Sequence, residues 1–365
     1  MLKIYKYGNS YLEHINGVDY LYLREENHYQ TGFTAGILFT QSRARIIPFL
    51  KNPFTKIFFK TLSLTYKRRL HRIELPKDYR DELQGCSDAT KIPYGSLRLL
   101  SLIYEVWGCS TFAFFNPDGS LIISHNTDLP AIVGKFILRY SQPLVTNVTI
   151  PGKNNFVHIS YPLFVGVTNG FNEKGISINS HDIKEVFAKI VEKNLSTSAF
   201  SRMILEKSEN LEDVLKIAKN NSTYLPVNFL VASEKERKFL HLEMHPSDYH
   251  FTVSSNHSTV HITNHFLSEK MKHYHSGIPK SSAKRLKSME EILSMKKSLT
   301  VEEAIDTLKD KRNGLKREGT GKSLTNVGTF QSFVFDVTKR EVHISNGRKL
   351  PVTLNGKFIK ISAPL

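Results

Sequence analysis

One stretch constrains this chain more than any other: GCSTFAFFNPDGSLIISHNTD, residues 108–128. Residues 110–115 and 121–126 are dense in β-branched and aromatic side chains. Asn116-Pro117-Asp118-Gly119 between them supplies turn formers, so the pattern predicts a β-hairpin. Gly108-Cys109 heads its first strand and Asp128 ends its second. A hairpin returns its second strand beside the start of its first, so a thiol and a carboxylate 19 positions apart in sequence should meet at one end. Read alone, such a cysteine is most often a small buried hydrophobe and such an aspartate a solvated strand end or turn cap. Whether the pair carries chemistry depends on the rest of the chain.

The 365 residues allow two domains or one large one, and 40% hydrophobic with 23% charged residues suits a globular protein. No apolar run approaches the roughly 20 residues of a membrane span. The opening MLKIYKYGNSYLEHINGVDYLYL lacks an apolar core followed by a small-residue cleavage site, so no secretion signal is expected and a cytoplasmic location is the default. The only cysteines, Cys86 and Cys109, are read as free thiols of a reducing compartment.

Net charge is +16, which points to an anionic partner. Residues 41–77 concentrate Arg43, Arg45, Lys51, Lys56, Lys60, Lys67, Arg68, Arg69 and Arg72 among phenylalanines. Such a segment can lie on an anionic membrane, or form ordinary helices with snorkelling lysines. Pro48 and Pro53 interrupt any single long helix and favour the second reading.

Along the chain, alternation predicts strands within 1–24, and NHYQTGFTAGILFTQSRAR reads as a helix in which Gly32 and Gly36 allow close packing. Two helices are expected near 77–90 and 95–106, the second with a buried face of Leu97, Leu99, Leu100, Leu102, Ile103 and Val106. Beyond the hairpin, strands are expected at 135–141, 145–150, 156–160, 163–168 and 175–180, then two helices, STSAFSRMILEKSEN and NLEDVLKIAKN. Further strands fall at 227–232, 238–244, 250–254 and 259–263. KSSAKRLKSMEEILSMKK reads as a basic helix, and Thr300 with Glu303 forms a capping box. Strands at 329–336 and 341–345 close the chain, after a polar, glycine-containing stretch at 309–326 that is expected to be a mobile surface loop. Strands, two helices and strands again give an α+β class with helices outside antiparallel sheets.

Several segments, in order, resemble the acyl-CoA:6-aminopenicillanate acyltransferase family of N-terminal-nucleophile hydrolases, related to choloylglycine hydrolase and acid ceramidase. The Gly-Cys hairpin ending in Asp128 is similar to the start of that family's mature chain. GFNEKGISIN, PVNFLVASEKERKFLHLEMHP, VHITNHF and GTFQSFVFDVTKREVHIS resemble its later motifs, and GFTAGILFT and DELQGCSDAT its pro-segment. The resemblance implies a four-layer αββα sandwich, with residues 1–108 as a mostly helical pro-segment or small subunit and 109–365 as the catalytic domain. It implies cleavage between Gly108 and Cys109, Cys109 as nucleophile with its own freed α-amine as base, and Asp128 orienting that amine. Asn264 of VHITNHF is the implied oxyanion donor. Asn179 is implied as a second, with the alignment able to slip to His181 or Asp182. His125 stands where choloylglycine hydrolases carry arginine, and Asn326 where the acyltransferase has another.

The implied function is hydrolysis or transfer of the acyl group of linear amides, without a cofactor. The partners are a small acyl amide, an acyl-CoA donor being compatible, and the two cleaved pieces for each other. The other reading is a non-enzymatic basic protein that binds an anionic membrane or nucleic acid through 41–77. The hairpin and the ordered later motifs have no role in that reading, so nucleic acid is not expected and membrane contact would be peripheral.

Overall fold

In the computed structural model, which describes residues 3–65, 72–103, 108–183, 194–254, 259–315 and 321–365, period-two alternation has produced two sheets laid face to face. The larger runs, in spatial order, through Lys3–Tyr7, Ser10–Ile15, Val18–Arg24, Leu144–Thr149, Phe156–Ser160, Asn169–Asn172, Ile176–Asp182, Val227–Ser233, Lys238–His245 and Asp248–Ser254. The smaller runs through Thr259–Ile262, Gly108–Phe115, Leu121–Asp128, Thr329–Asp336, Glu341–Ser345 and Phe358–Ser362. Val145, Val157, Phe171 and Leu230 of one sheet meet Ala113, Ile123, Phe333 and Phe335 of the other in a closed apolar layer.

Each outer face is covered by helices. Phe200, Ile204 and Val214, from helices Thr197–Lys207 and Leu211–Asn220, pack on the larger sheet. Met289, Leu293, Ala304 and Leu308, from helices Lys280–Leu293 and Val301–Leu308, pack on Phe112, Phe114, Ile122 and Val334 of the smaller. This is the four-layer αββα order. The hairpin lies inside the smaller sheet, flanked on both sides, and its turn closes with Gly119 at φ 92 and its N–H donating to the Asn116 carbonyl at 2.9 Å.

Residues before Cys109 are woven into this core. Val18–Arg24 pairs in parallel with Leu144–Thr149. Helices His28–Gln41 and Lys77–Thr90 touch backbone to backbone: a Cβ on Gly32 would stand 1.9 Å from the Glu82 carbonyl oxygen, and one on Gly85 2.1 Å from that of Tyr29.

A buried ionic cluster ties the same helices to the Thr197–Lys207 helix. Arg202 donates to both Glu82 oxygens at 2.9 and 2.7 Å and to Glu206 at 2.7 Å, while His28 Nδ1 lies 3.0 Å from Glu82. Tyr79 donates to Glu206 at 3.1 Å.

Three expectations need correction. Residues 135–141 are not a strand but belong to helix Ala131–Tyr140, which turns Gly134 and Leu138 inward and leaves Ile132 and Phe136 exposed. The apolar run had no period that separated the two structures. Residues 163–168 form turns, with Leu163 at φ 66; their apolar side chains fill the core without pairing, and the strand falls at Asn169–Asn172. The stretch 309–326 is not surface loop throughout: Ser323, Leu324, Thr325 and Asn326 are buried, and Asn126 donates to the carbonyls of Leu308 and Leu324. Residues 316–320 of that stretch, 104–107 after the Tyr94–Ile103 helix and 66–71 of the basic segment lie outside the described residues.

Removing Arg202 would strand two buried carboxylates. Arg202→Met is therefore expected to lower the unfolding free energy by about 3–5 kcal/mol, read as a fall in the urea midpoint. Burial alone would raise the Glu82 carboxyl pKa, but the Arg202 charge and the bonds from His28 and Arg202 override it and hold the pKa at about 2, against 4.5 when unfolded. Its contribution is thus complete above pH 4.5 and is lost as pH falls toward 2. An Arg202→Met midpoint equal to wild type would show the cluster contributes nothing.

Candidate functional site

The hairpin register pairs Gly108 with Asp128 and Cys109 with Thr127, so the thiol and the carboxylate do share one end of the sheet. Both side chains are buried. Cys109 is gripped through its backbone. Its N–H donates to Asn264 Oδ1 at 2.8 Å, and its carbonyl accepts from the Arg285 guanidinium.

Asn264 lies just past the Thr259–Ile262 strand, which pairs with the first strand of the hairpin. Its Oδ1 also accepts from Arg285 at 2.9 Å, its Nδ2 donates to the Asp182 carbonyl at 2.8 Å, and its backbone N–H donates to Ser282 Oγ at 2.9 Å. Both ends of this side-chain amide are therefore fixed, and a turn-forming role alone does not account for that.

The Asp128 carboxylate is held from the far side by the segment entering the closing hairpin. Asn326 Nδ2 donates to it at 2.7 Å and Thr329 Oγ1 at 2.6 Å. Asn326, expected only as a substitute for an arginine, thus contacts Asp128 directly.

Of the candidates on the Ile176–Asp182 strand, Asn179 is joined to Asn169 at 3.0 Å, and its Oδ1 is buried with no partner among the described residues. The two alternatives further along the strand reach the Cys109 region instead. The Asp182 carbonyl orients Asn264, and His181 Nε2 lies 2.7 Å from Thr111 Oγ1. Burial, with the Arg285 charge adding to it, pushes the His181 pKa well below the usual histidine value, with a hydrogen bond to the Cys109 backbone opposing.

His125 faces the layer between the sheets. Its Nδ1 is 2.7 Å from Thr111 Oγ1 and its Nε2 2.9 Å from Thr127 Oγ1, and its ring stacks on Phe333. Burial lowers its pKa to about 3. It is a neutral member of a threonine–histidine network, not a cation beside the thiol.

The residue that sequence reasoning missed is Arg285. It is fully buried, and besides Cys109 and Asn264 it donates to Ser110 Oγ at 2.8 Å. Burial draws its pKa down, opposed by the Asp128 carboxylate. The signal was present: Ser281, Ser282, Arg285, Ser288 and Met289 recur every three or four residues on one helix face, so Arg285 lies on the inward stripe of a helix that reads as basic overall. Cys86 is buried as well, away from these groups, and burial raises its thiol pKa far above the ordinary value.

The site therefore presents a thiol with its backbone N–H and C=O both clamped, a guanidinium within reach of that residue, an amide whose orientation is fixed, and a carboxylate across the hairpin. These groups suit nucleophilic acyl transfer, in which a thiolate needs a neighbouring positive charge and an oxyanion needs fixed donors.

The sequence profile of the family described as acyl-coenzyme A:6-aminopenicillanic acid acyl-transferase matches residues 114–350. Acid ceramidase of Mus musculus is 23% identical over 180 residues, 44% of this chain, and the match spans 46% of that protein's length. Among solved structures, penicillin V acylase from Agrobacterium tumefaciens aligns over 70% of this chain and 86% of its own, at 13% identity and a TM-score of 0.45. The Caenorhabditis elegans ortholog of N-acylethanolamine-hydrolyzing acid amidase aligns over 70% of this chain and 100% of its own, at 12% identity and a TM-score of 0.46. A mutant of conjugated bile acid hydrolase from Clostridium perfringens gives 11% identity over 70% of this chain and 92% of its own, with a TM-score of 0.46.

The His125 environment has a measurable consequence. Its ring resonances are expected to titrate near pH 3 in the folded protein. The unfolded chain takes up that proton near pH 6.5, so this residue's contribution to stability is full above 6.5 and falls as the solution is acidified toward 3. An NMR titration with a midpoint near the ordinary histidine value would contradict the buried, neutral assignment.

Proposed function

Because the chain belongs to the acyl-coenzyme A:6-aminopenicillanic acid acyl-transferase family, we propose that it is a cysteine amide hydrolase or acyltransferase that acts on the carbon–nitrogen bond of linear acyl amides. One observation supports this above all: the two-sided grip on the Cys109 backbone by Asn264 and Arg285, beside Asp128.

We assign residues 1–108 to a segment removed from covalent linkage by self-cleavage and 109–365 to the catalytic part. In the uncut chain the Cys109 thiol adds to the Gly108 carbonyl carbon. The C–N bond to Cys109 breaks, the acyl group moves to sulfur, and water hydrolyses the thioester. The products are a Gly108 carboxylate and a free α-amine on Cys109. Glycine before the cysteine lets the thiol approach without a side chain in the way.

The freed amine, with an unperturbed pKa of about 7.7–8.0, then takes the thiol proton. Asn264 Oδ1 already accepts from this nitrogen in the uncut chain, and would hold the amine in the same place, with Asp128 as the charged group that orients it. The Arg285 guanidinium favours the thiolate. Sulfur adds to the substrate carbonyl, and Asn264 Nδ2 stabilises the oxyanion. The leaving nitrogen collects the proton from the α-ammonium as the tetrahedral intermediate collapses to an acyl-thioester. Water, or an amine or thiol acceptor, removes the acyl group and restores the cysteine.

The test is turnover of a panel of N-acyl amino acids, N-acyl ethanolamines, acyl-homoserine lactones, penicillin V and conjugated bile salts. Release of acid from at least one is expected, with none in folded Cys109→Ala and full activity in Cys86→Ala. Asn264→Ala is expected to lower turnover by about 10²–10³, the cost of one oxyanion donor, with a small change in KM. Unchanged turnover in folded Asn264→Ala would return that residue to a structural role. Cleavage of internal peptide bonds without release from any acyl amide would overturn the substrate class.

A further inference from the structure

The basic segment noticed in the sequence folds into something the amide chemistry does not use. Helix Pro53–Thr65 has apolar side chains on two faces. Phe59 is buried in the core, whereas Phe54, Ile57, Phe58 and Leu64 are 83%, 64%, 60% and 63% exposed. Ile57, Phe58 and Leu64 follow Phe54 by three, four and ten positions and form one outward stripe with it. Helix Ala131–Tyr140 does the same: Ile132 is 80% exposed, with Val133 and Phe136 beside it. Phe49, on the short Ile46–Lys51 helix, packs edge-on against Phe136 and tilted against Tyr140 with ring centroids 5.3 and 4.5 Å away, and Thr55 lines one cavity with Arg139 and Tyr140, so the two helices adjoin at one region of the surface. Isolated exposed apolar residues are ordinary, but a contiguous group of this size marks a binding surface.

Charge identifies the occupant. No aspartate or glutamate occurs between Glu26 and Glu74, nor between Asp128 and Glu173, and both helices lie in these intervals. Lys51, Lys56, Lys60, Lys135 and Arg139 are exposed around the apolar stripes, and none has an ion pair among the described residues. An open cavity of about 700 Å³ beside them is lined by Arg43, Arg45, Asn52, Arg139 and Tyr140. Apolar side chains at the centre, cations of one sign around them and an arginine-lined recess match the acyl, headgroup and phosphate layers of an anionic bilayer. Among the described residues no helix is long and apolar enough to cross a membrane, so contact would be at the surface.

We propose that helices Pro53–Thr65 and Ala131–Tyr140 dock this protein on membranes rich in anionic phospholipid. Phe54, Ile57, Phe58 and Ile132 enter the boundary of the acyl region, and the surrounding lysines and arginines lie at the phosphates. Helix Ala131–Tyr140 starts three residues beyond Asp128. Docking therefore brings the Asp128 end of the hairpin toward the bilayer, where an amphiphilic acyl amide would already be dissolved. The docking itself does not depend on the amide-hydrolase reading.

The experiment is flotation of the full chain with vesicles of phosphatidylcholine alone and of phosphatidylcholine mixed equally with phosphatidylglycerol. Binding is expected only to the mixed vesicles, falling as salt is raised. Lys56→Gln with Lys60→Gln should weaken it about five-fold per charge removed. Phe54→Ser with Phe58→Ser should abolish it at unchanged circular dichroism. Lys219→Gln with Lys357→Gln, an equal loss of charge on other elements, should leave it as in wild type. Turnover of a water-soluble acyl amide, measured in parallel, should be the same in all of these proteins and tests the amide reading separately. The proposal is overturned if the mixed vesicles fail to bind, or if the serine variant binds like wild type. It is equally overturned if the matched control loses as much as the lysine variant, because binding would then follow net charge alone. A dimer in sedimentation that the serine variant dissolves, without vesicle binding, would assign the surface to a second copy instead.

Discussion

A guanidinium in the interior organises the functional end of this molecule. Arg285 has no exposure to water, and removing such a group from solvent costs several kcal/mol unless acceptors replace the lost hydration. Here the Cys109 carbonyl, Ser110 Oγ and Asn264 Oδ1 replace it at the two terminal nitrogens. The same bonds fix the start of the hairpin strand and the plane of the Asn264 amide, which in turn receives the Cys109 N–H. Cys109 is thus positioned by a network closed on itself. The Lys280–Leu293 helix gives the cation, the loop after Thr259–Ile262 gives the amide, and the Ile176–Asp182 strand orients that amide through a carbonyl. Removing any one contact leaves a buried polar group unsatisfied, so the arrangement is specified more tightly than an apolar core of the same size would be.

The segment before Cys109 is held by interactions of different kinds at separate places. Val18–Arg24 hydrogen-bonds to Leu144–Thr149 along six register pairs. The Gly32–Gly85 approach brings two helices into backbone contact, and Arg202 bridges carboxylates on either side of the Gly108–Cys109 bond. Breaking that one peptide bond removes none of these contacts. A cleaved protein would remain a single folded body, with its new α-amine in the position the peptide nitrogen occupied.

The parts of the fold decided locally were legible in the sequence. The hairpin needed only its alternation and the Asn-Pro-Asp-Gly turn, and its register follows from the turn. The Thr300–Glu303 capping box forms as read, with both reciprocal bonds present. Parts decided by distant partners were not legible. Asn326 and Thr329 lie about two hundred positions from the Asp128 they hold. Arg285 looked like one more cation of a basic helix because its acceptors come from other elements. The Ala131–Tyr140 helix was mistaken for a strand because it exposes apolar side chains, which contradicts the rule that a surface helix hides them. The same exposure makes that helix part of the proposed membrane surface. At Ile176–Asp182 a short slip along the strand separated Asn179, which stays with Asn169, from Asp182, whose carbonyl orients the amide at the nucleophile.

In the proposed mechanism Cys109 becomes the N-terminus of a catalytic chain by its own chemistry. Intact mass measurement with N-terminal sequencing, on purified protein held at neutral pH, tests it directly. Pieces of 108 and 257 residues that co-elute are expected, the larger beginning Cys-Ser-Thr-Phe, formed at a rate independent of protein concentration. A folded chain that stays whole while hydrolysing acyl amides would contradict it, because the base could not then be the α-amine of Cys109.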